Sequence, residues 1–521
     1  HSDVIVLWGT NAVHTQVNLM HHVAKARKRG AKLVVVDPYR NATAQKADLH
    51  VMLKPGSDGA LATAIMHVLL KKNLADREYL AKFTDFDSDL ESHLENKTPE
   101  WAQDITGVSR DQIIEFSELL GQNSKVFYRL GYGFTRSRNG AFNMHAVSCL
   151  PAVTGAWKFR GGGALYSNSE LFKLDKTLIV GSDVVDENTR VLDQSRIGEI
   201  LCGNPIDLQG GPPVTALLIQ NTNPLMVSPS SLKVRRGFER EDVFTCVHEQ
   251  FMTETAAMAD IVLPATMFLE HEDIYIAGGH TFLQVAKPVI EPLEDAKPNH
   301  FVICELAKRL GAKHLGFEMT SWELIDETLV RSGYPSAEKI HANRWLDCAL
   351  DFEDAHFLNG FETPDRKFHF SPDWSKLDKL NATLPKFPDH YSVVDNVTDE
   401  KPFRLVTAPA RQFLNSSFTE TRTSQQKEGR PTAKIHSSSC NKLGLKDGGL
   451  VRIGNDLASV VVHVEMYDDL QKDVVIVESI WPNISFIEGV GINSLISTDP
   501  GHGVGGAVFH DTAVWMKSAN T

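Results

Sequence analysis

Two aspartates stand where strand-like runs end. Asp37 closes "KLVVVDP" (32–38), and Asp58 follows the Pro55-Gly56 turn of "LKPGSDGAL" (53–61). An ionised carboxylate only accepts hydrogen bonds, at about four sites. Asp37 can take the hydroxyls of a ribose, and Asp58 the ring N–H and exocyclic amine of a guanine together. Each also has a plain structural use, Asp37 closing a turn and Ser57 or Asp58 capping the helix that follows. Gly9-Thr10-Asn11, after the apolar run "VIVLW", extends the pattern. A glycine there lets backbone approach a phosphate, and a helix N-terminus favours the anion. The alternative is a tight turn and nothing more.

The remaining chemistry-bearing residues are dispersed. Cys149, Cys202, Cys246, Cys304, Cys348 and Cys440 form no CxxC pair, and zinc or iron–sulfur sites usually carry such close spacings. They read as buried free thiols in a reducing compartment. Cys149 falls among Val147, Leu150 and Val153, a core position. His248, His271, His280 and His300 lie 23, 9 and 20 residues apart, which is no compact ligand set. They read as structural, with His280 left open as a wall of a substrate funnel. His502 and His510 sit in the glycine-rich "DPGHGVGGAVFHD" (499–511), read as a flexible loop rather than a metal site. No residue is assigned as catalytic, and none as a metal ligand.

The elements that must position these residues follow from periodicity. Val4 to Leu7 form the continuous apolar run of a strand buried on both faces. Leu19, Met20, Val23, Ala24 and Ala26 recur at helical spacing, and Gly30 stops that helix. Strand, helix and strand in succession make a right-handed parallel crossover, whose ligands lie at the carboxyl ends of the strands. "YRLGYGF" (128–134) and "ALLIQNTNP" (216–224) repeat the scheme of a strand followed by a turn. Thr253-Glu254-Thr255-Ala256 reads as a helix start. The back of the chain changes character. "FRLVT" (403–407), "GGLVRIG" (448–454), "ASVVVHVE" (458–465) and "DVVIVES" (473–479) are short strands with turns between them, as in a small closed barrel.

Length and composition set the outer bounds. A chain of 521 residues suggests about three domains of ~150 residues. Its 42% hydrophobic and 23% charged residues are ordinary for a globular protein. A net charge of −13 argues against non-specific nucleic-acid binding, which needs clustered Lys and Arg. No apolar run approaches the ~18 residues of a membrane span, and no signal peptide is visible. The expected location is cytoplasmic, with the periplasm left open.

Taken in order, these blocks resemble the molybdopterin oxidoreductase family of the dimethyl sulfoxide reductase type, along essentially the whole chain. The carriers are "LWGTN…VVVDPYRNATAQKADLHVMLKPGSDGAL", "YRLGYGFTRSRNG…TGAWKFRGGGAL", "ALLIQNTNPLMVSPS" and "TETAAMADIVLP". The resemblance implies an α/β fold of Rossmann-like parallel-sheet domains binding dinucleotides, followed by a C-terminal double-psi β-barrel. It implies a molybdenum or tungsten bis-molybdopterin guanine dinucleotide cofactor, a small-molecule substrate and an electron-transfer partner protein. The implied contacts are Gly9, Asn11, Asp37, Gly56 and Asp58 for one nucleotide. Gly131 and Gly133 are placed on the second, with Asn221, Asn223, Pro224, Glu249 and Thr253. Ser416, Ser417 and Asn493 are implied at the pterin, or else are ordinary turn residues. Arg136 and Arg138 are left open between phosphate contact and solvated surface.

The expected domains are 1–125 and 126–335, two α/β dinucleotide-binding units open to interleaving, then 336–400, an irregular linker with an edge strand, then 401–521, the barrel. Two departures from the family stand out. "GGHTFLQ" has histidine where glutamate-glycine-arginine is commoner. "ALYSNSELFKL" lacks the arginine-glycine-glutamine of formate dehydrogenases, which makes formate a poor expectation. The first strand matches a position well inside family members. The expectation is therefore that an iron–sulfur cluster and the protein ligand to the metal lie before His1. The alternative kept beside the enzyme is a metal-free scaffold, or a subunit of an electron-transfer complex, that retains the fold. An unrelated Rossmann protein does not account for the barrel.

Overall fold

A computed structural model describes residues 1–376, 384–395 and 397–519. It divides into two compact units, one of His1–Leu165, Met226–Leu232 and Phe352–Thr521, the other of Tyr166–Leu225 and Lys233–Asp351. The first unit opens with five parallel strands: β1 (Val4–Trp8), β2 (Lys32–Val36), β3 (Leu49–Val51), β4 (Val126–Leu130) and β5 (Gly163–Leu165). They lie in the order β3-β2-β1-β4-β5. β1 is central and wholly buried, which is why its five residues are all apolar. The division expected at residue 125 runs through this sheet, because Val4 pairs with Val126 and Trp8 with Leu130. The helix Asp58–Lys71 is buried nearly all round. It packs against the helices Pro99–Thr106, Arg110–Gly121 and Gly140–Val153, so it carries no polar face.

The second unit holds a parallel sheet of β6 (Ala216–Gln220), β7 (Phe244–Glu249) and β8 (Ile261–Pro264). A separate antiparallel sheet contains β9 (Asp273–Tyr275), β10 (Phe282–Ala286) and the short edge strand β11 (Leu346–Asp347). Helices Ser321–Arg331 and Ala337–Asn343 close its core with Phe172, Leu283, Leu329 and Ile340. The first has a complete capping box, Thr320 with Glu323, which satisfies two otherwise unpaired N–H groups. The segment expected to be irregular from residue 336 thus begins with a capped helix, Ser336 accepting from Lys339 N. Residues 377–383 and 396 of that expected linker lie outside the described residues. Thr253–Ala256 leads only into a three-residue 3₁₀ turn, Ala256–Met258. Beyond it, Asp260 accepts from Thr245 N at 2.7 Å.

The barrel belongs to the first unit. Its strands are β12 (Phe403–Val406), β13 (Thr432–Ile435), β14 (Leu450–Gly454), β15 (Ser459–Met466), β16 (Val474–Val477) and β17 (Thr512–Ser518). They close in the order β12-β16-β13-β15-β14-β17, with β12–β16 and β13–β15 parallel. Alternate residues fill the interior: Ala433 and Ile435, Val451 and Ile453, Val460, Val462 and Val464, as the two-residue period of a strand requires. β16 is buried on both faces. Val475 and Val477 point into the barrel, while Val474 and Ile476 pack on Tyr39, Val406 and Leu470. Among the described residues no helix is long and apolar enough to cross a membrane.

Candidate cofactor site

The carboxyl ends of β1, β2 and β4 open on a cavity of about 610 Å³. Gly9, Asn11, Asp37, Gly56, Asp58 and Gly133 all line it, with Arg136 beside them. The turns that hold these residues are tightly fitted. Gly131 N donates to Trp8 O at 2.8 Å and Gly133 N to Gly9 O at 3.0 Å. A Cβ on Gly131 would stand 2.2 Å from Gly9 O, and Gly9 itself has φ +62° with Phe134 against it. These two glycines are therefore demanded by turn-on-turn packing. Asn11 is fixed as well. Its Oδ1 accepts from Thr43 Oγ1 at 2.7 Å, and Thr43 Oγ1 accepts from Val13 N.

Two carboxyls of the cavity wall are deeply buried. Asp58 is 2% exposed, and its Oδ1 accepts from Trp8 Nε1 at 2.7 Å. The N-cap residue, Ser57, makes no side-chain cap bond, its hydroxyl donating to Lys54 O instead. Burial pushes the Asp58 carboxyl up to about 7 despite the indole. Asp37 is pushed by burial up to about 8, with Asp58 and Glu478 adding repulsion. Asn41 Nδ2 favours the charged Asp37 without meeting hydrogen-bond geometry. Two carboxyls held near neutrality by desolvation regain their charge when donors reach them.

The remaining sequence-derived residues lie elsewhere. Gly133 lines the same cavity as Gly9, and Gly131 packs behind it on Gly9 O, because β4 is the direct neighbour of β1. In the second unit, Asn221, Asn223, Pro224, Glu249 and Thr253 gather at the carboxyl ends of β6 and β7. There Asn223 Oδ1 accepts from Thr255 Oγ1 at 2.6 Å, Thr253 Oγ1 from Ala256 N, and Glu249 Oε1 from Gln250 N. Asn221 is strained, with φ +59°. In the barrel loops, Ser417 is exposed and its backbone pairs with Leu414, and Ser416 O accepts from Thr419 Oγ1. Asn493 is buried. Its Nδ2 donates to Met226 O at 2.9 Å while its Oδ1 has no hydrogen-bond partner. Arg138 takes neither role left open for it. It pairs with Asp511 at 3.0 Å and Asp499 at 2.8 Å.

Sequence reasoning missed several cavity residues. Gln16 Oε1, Asn41 Nδ2 and Ser479 Oγ are buried, lack hydrogen-bond partners and belong to residues of the wall. A buried polar atom left unpaired costs about 1–3 kcal/mol, so three on one wall favour a polar occupant. Asn41 sits in the quoted "PYRNATAQKADL" and follows Asp37 closely, which was the available signal; Ser479 had none. His510 is the clearest miss. It is no part of a loose loop: it lines the cavity and its ring spans Gly133 O and Thr407 O. His502 Nδ1 meets Tyr391 OH at 2.9 Å.

The other histidines are occupied by ordinary partners. His248 meets Gln220 and Lys297 O, His271 meets Thr266, and His300 meets Met319 O. His280 Nδ1 accepts from Phe282 N. No group of three or more His, Cys, Asp or Glu among the described residues is arranged to hold a metal ion. Burial pushes the Cys149 thiol well up. The reading of all six thiols as buried fails at Cys202, which is exposed, and only Cys149 and Cys440 are fully buried.

Comparison with known proteins gives the site its context. A family model described as "Molybdopterin oxidoreductase" matches residues 1–309, and one described as "Molydopterin dinucleotide binding domain" matches residues 403–513. "Probable oxidoreductase YoaE" of Bacillus subtilis (strain 168) is 34% identical over 92% of this chain and 70% of its own. "Formate dehydrogenase H" of Escherichia coli (strain K12) is 25% identical over 92% of this chain and 69% of its own. The solved structure of acetylene hydratase from Pelobacter acetylenicus superposes with a TM-score of 0.79 at 20% identity, covering 99% of this chain and 78% of that one, a likeness of fold. With the first model spanning more than half of the chain and the second coinciding with the closed barrel, the chain belongs to the molybdopterin oxidoreductase family.

Proposed function

We propose that the cavity at the ends of β1, β2 and β4 holds the guanosine end of a molybdopterin guanine dinucleotide. The chain would act on a small substrate with a bis-molybdopterin cofactor of molybdenum or tungsten, passing electrons through an iron–sulfur cluster to a partner protein. The observation that carries this is the pair of buried carboxyls, Asp37 and Asp58, on one wall of one cavity. When bound, the metal supplies two-electron redox chemistry, and the protein supplies binding and orientation.

The residues present fit such a group. One acceptor site of Asp58 is held by Trp8, leaving others for adjacent N–H donors of a guanine. Asp37 suits a ribose diol. The N–H groups of Gly9 and Gly133 are already given to Val36 O and Gly9 O, so Arg136 is the proposed phosphate partner, and the glycines leave room for the phosphate beside it. Asn221, Asn223, Pro224, Glu249 and Thr253 are the proposed contacts to the second nucleotide. Ser416, Ser417 and the unpaired Oδ1 of Asn493 are the proposed contacts to the pterin. All of these residues bind and orient, and none is assigned a bond-making step.

The test is stoichiometry. The full-length protein, produced anaerobically with molybdate and tungstate, should release two guanine nucleotides per metal on acid hydrolysis. Guanine nucleotide without metal would favour the scaffold reading. Absence of both from a folded protein would end the cofactor assignment.

A further inference from the structure

His510 is held in a way that one protonation state alone satisfies. Its Nδ1 lies 2.6 Å from Gly133 O and its Nε2 lies 3.1 Å from Thr407 O. Both partners are backbone carbonyls, which accept and never donate. A neutral imidazole has one N–H, so it meets one carbonyl and turns a lone pair on the other. The imidazolium, a donor at both nitrogens, meets both.

The surroundings oppose that charge. Burial, with the Arg136 guanidinium nearby, holds His510 below the usual histidine value. Its own backbone N–H donates to Arg136 O at 2.8 Å. Asp511, next in the chain, is already shared by Arg138 and Arg404. Asp37 and Asp58, on the same cavity, are pushed by burial toward their neutral forms. The groups around the ring therefore offer it no free counter-charge. The cavity does offer a place for one, since His510 lines it together with the Arg136 guanidinium, a cation that an anionic ligand can meet.

We infer that His510 is the proton-coupled partner of the ligand's anionic linkage: a pyrophosphate entering the cavity draws one proton from solvent onto the imidazole. No bond of the ligand changes. The ring then donates to Gly133 O and Thr407 O, stands as a cation beside the phosphates, and ties the β4 turn to the residue after β12. This rests on the guanine-dinucleotide reading of the cavity. It adds a role for the barrel, which supplies a charge that appears only with the ligand.

The experiment is calorimetry of the full-length, cofactor-free protein in two buffers of different ionisation enthalpy, which counts protons exchanged on binding. The probes are guanosine and GDP-mannose, whose diester pyrophosphate does not titrate near neutrality. Guanosine reaches only the carboxyl end of the site and releases protons from Asp37 and Asp58. GDP-mannose adds the pyrophosphate and should take up close to one proton more at slightly alkaline pH. The excess should fade toward acid pH, where the empty protein already holds the proton. His510→Gln, whose amide can donate but carries no titratable proton, should lose the excess. Should that variant not fold, the two probes on the unaltered protein still decide. Equal proton counts for both probes overturn the proposal, as does an excess that persists in His510→Gln. No binding of either probe overturns the cofactor reading and this proposal together.

Discussion

Asp58 is the residue on which the proposed nucleotide recognition turns. Trp8 Nε1 fixes the carboxylate, and burial leaves it reluctant to ionise. Asp58→Asn replaces an acceptor oxygen with a donor and removes the charge. A hydrogen bond to a charged group contributes about 1.5–3 kcal/mol, so guanosine affinity should fall roughly 10- to 150-fold at pH 8. Calorimetry reads this directly, and an unchanged affinity would detach Asp58 from the base. Ser479 poses the opposite problem. It has φ +81°, is 3% exposed, and its hydroxyl has no partner. A non-glycine residue in that backbone region costs about 1–3 kcal/mol. Ser479→Gly should therefore stabilise the ligand-free protein by up to ~2.5 kcal/mol, since glycine's entropy cost of about 0.5–1 kcal/mol offsets part of the relief; this is read as a raised melting temperature, and nucleotide binding should weaken. A lower melting temperature would show that the strain is already compensated.

At the scale of elements, the loop before β17 fastens the barrel over the β4 turn. Asp511 is fully buried and accepts from Arg404 Nη1 at 2.7 Å, Asp395 N at 2.6 Å and Arg138 N at 2.9 Å. Removing one member of a buried ion cluster leaves its partners uncompensated, at about 3–5 kcal/mol. Asp511→Ala should lose that much in urea unfolding, and a loss under 1 kcal/mol would mean that water reaches the arginines. The same loop shows what sequence could convey. Strands β1 and β16 were legible because both faces are buried and their residues are continuously apolar; β2 is apolar after Lys32, and β4, which carries Arg129, was legible from the glycine turn that follows it. β13 and β17 were not, since "TAKI" and "TAVWMKS" place polar side chains among the apolar ones. The neighbours Gly9 and Gly131 could not be joined from sequence, because strand order, not spacing, brings β4 beside β1. Glycines around His510 suggested looseness, but the atoms that anchor it belong to residues far off in the chain. The roles proposed for Asp37 and Asp58 follow from residue type, while the unpaired atoms of Asn41 and Ser479 exist only once the wall is folded.

For the molecule as a whole, the empty cavity costs stability in a way that depends on pH. Asp37 and Asp58 have folded values of about 8 and about 7, raised from roughly 3.9 for an unfolded aspartate. Between these values the native state binds more protons than the unfolded state, so stability falls as pH rises. The penalty is absent below pH ~4, grows through the interval and is complete above pH ~8. A ligand that donates N–H and O–H to the ionised carboxylates reverses it, and so binds more tightly as pH rises. Mass action then adds about 2.7 kcal/mol at a ligand concentration of a hundred times Kd. Guanosine is the suitable probe, since it carries no phosphate and leaves His510 out of the balance. The melting temperature of the empty full-length protein should decline from pH 5 to pH 8, while the increment given by saturating guanosine should grow over the same range. Fluorimetric melts at half-unit pH steps measure both quantities. An increment that is flat with pH, or larger at the acid end, would mean that neither aspartate meets the nucleoside as a carboxylate. Asp37→Asn and Asp58→Asn combined should flatten both curves, because the groups that lose their protons across that interval are then gone.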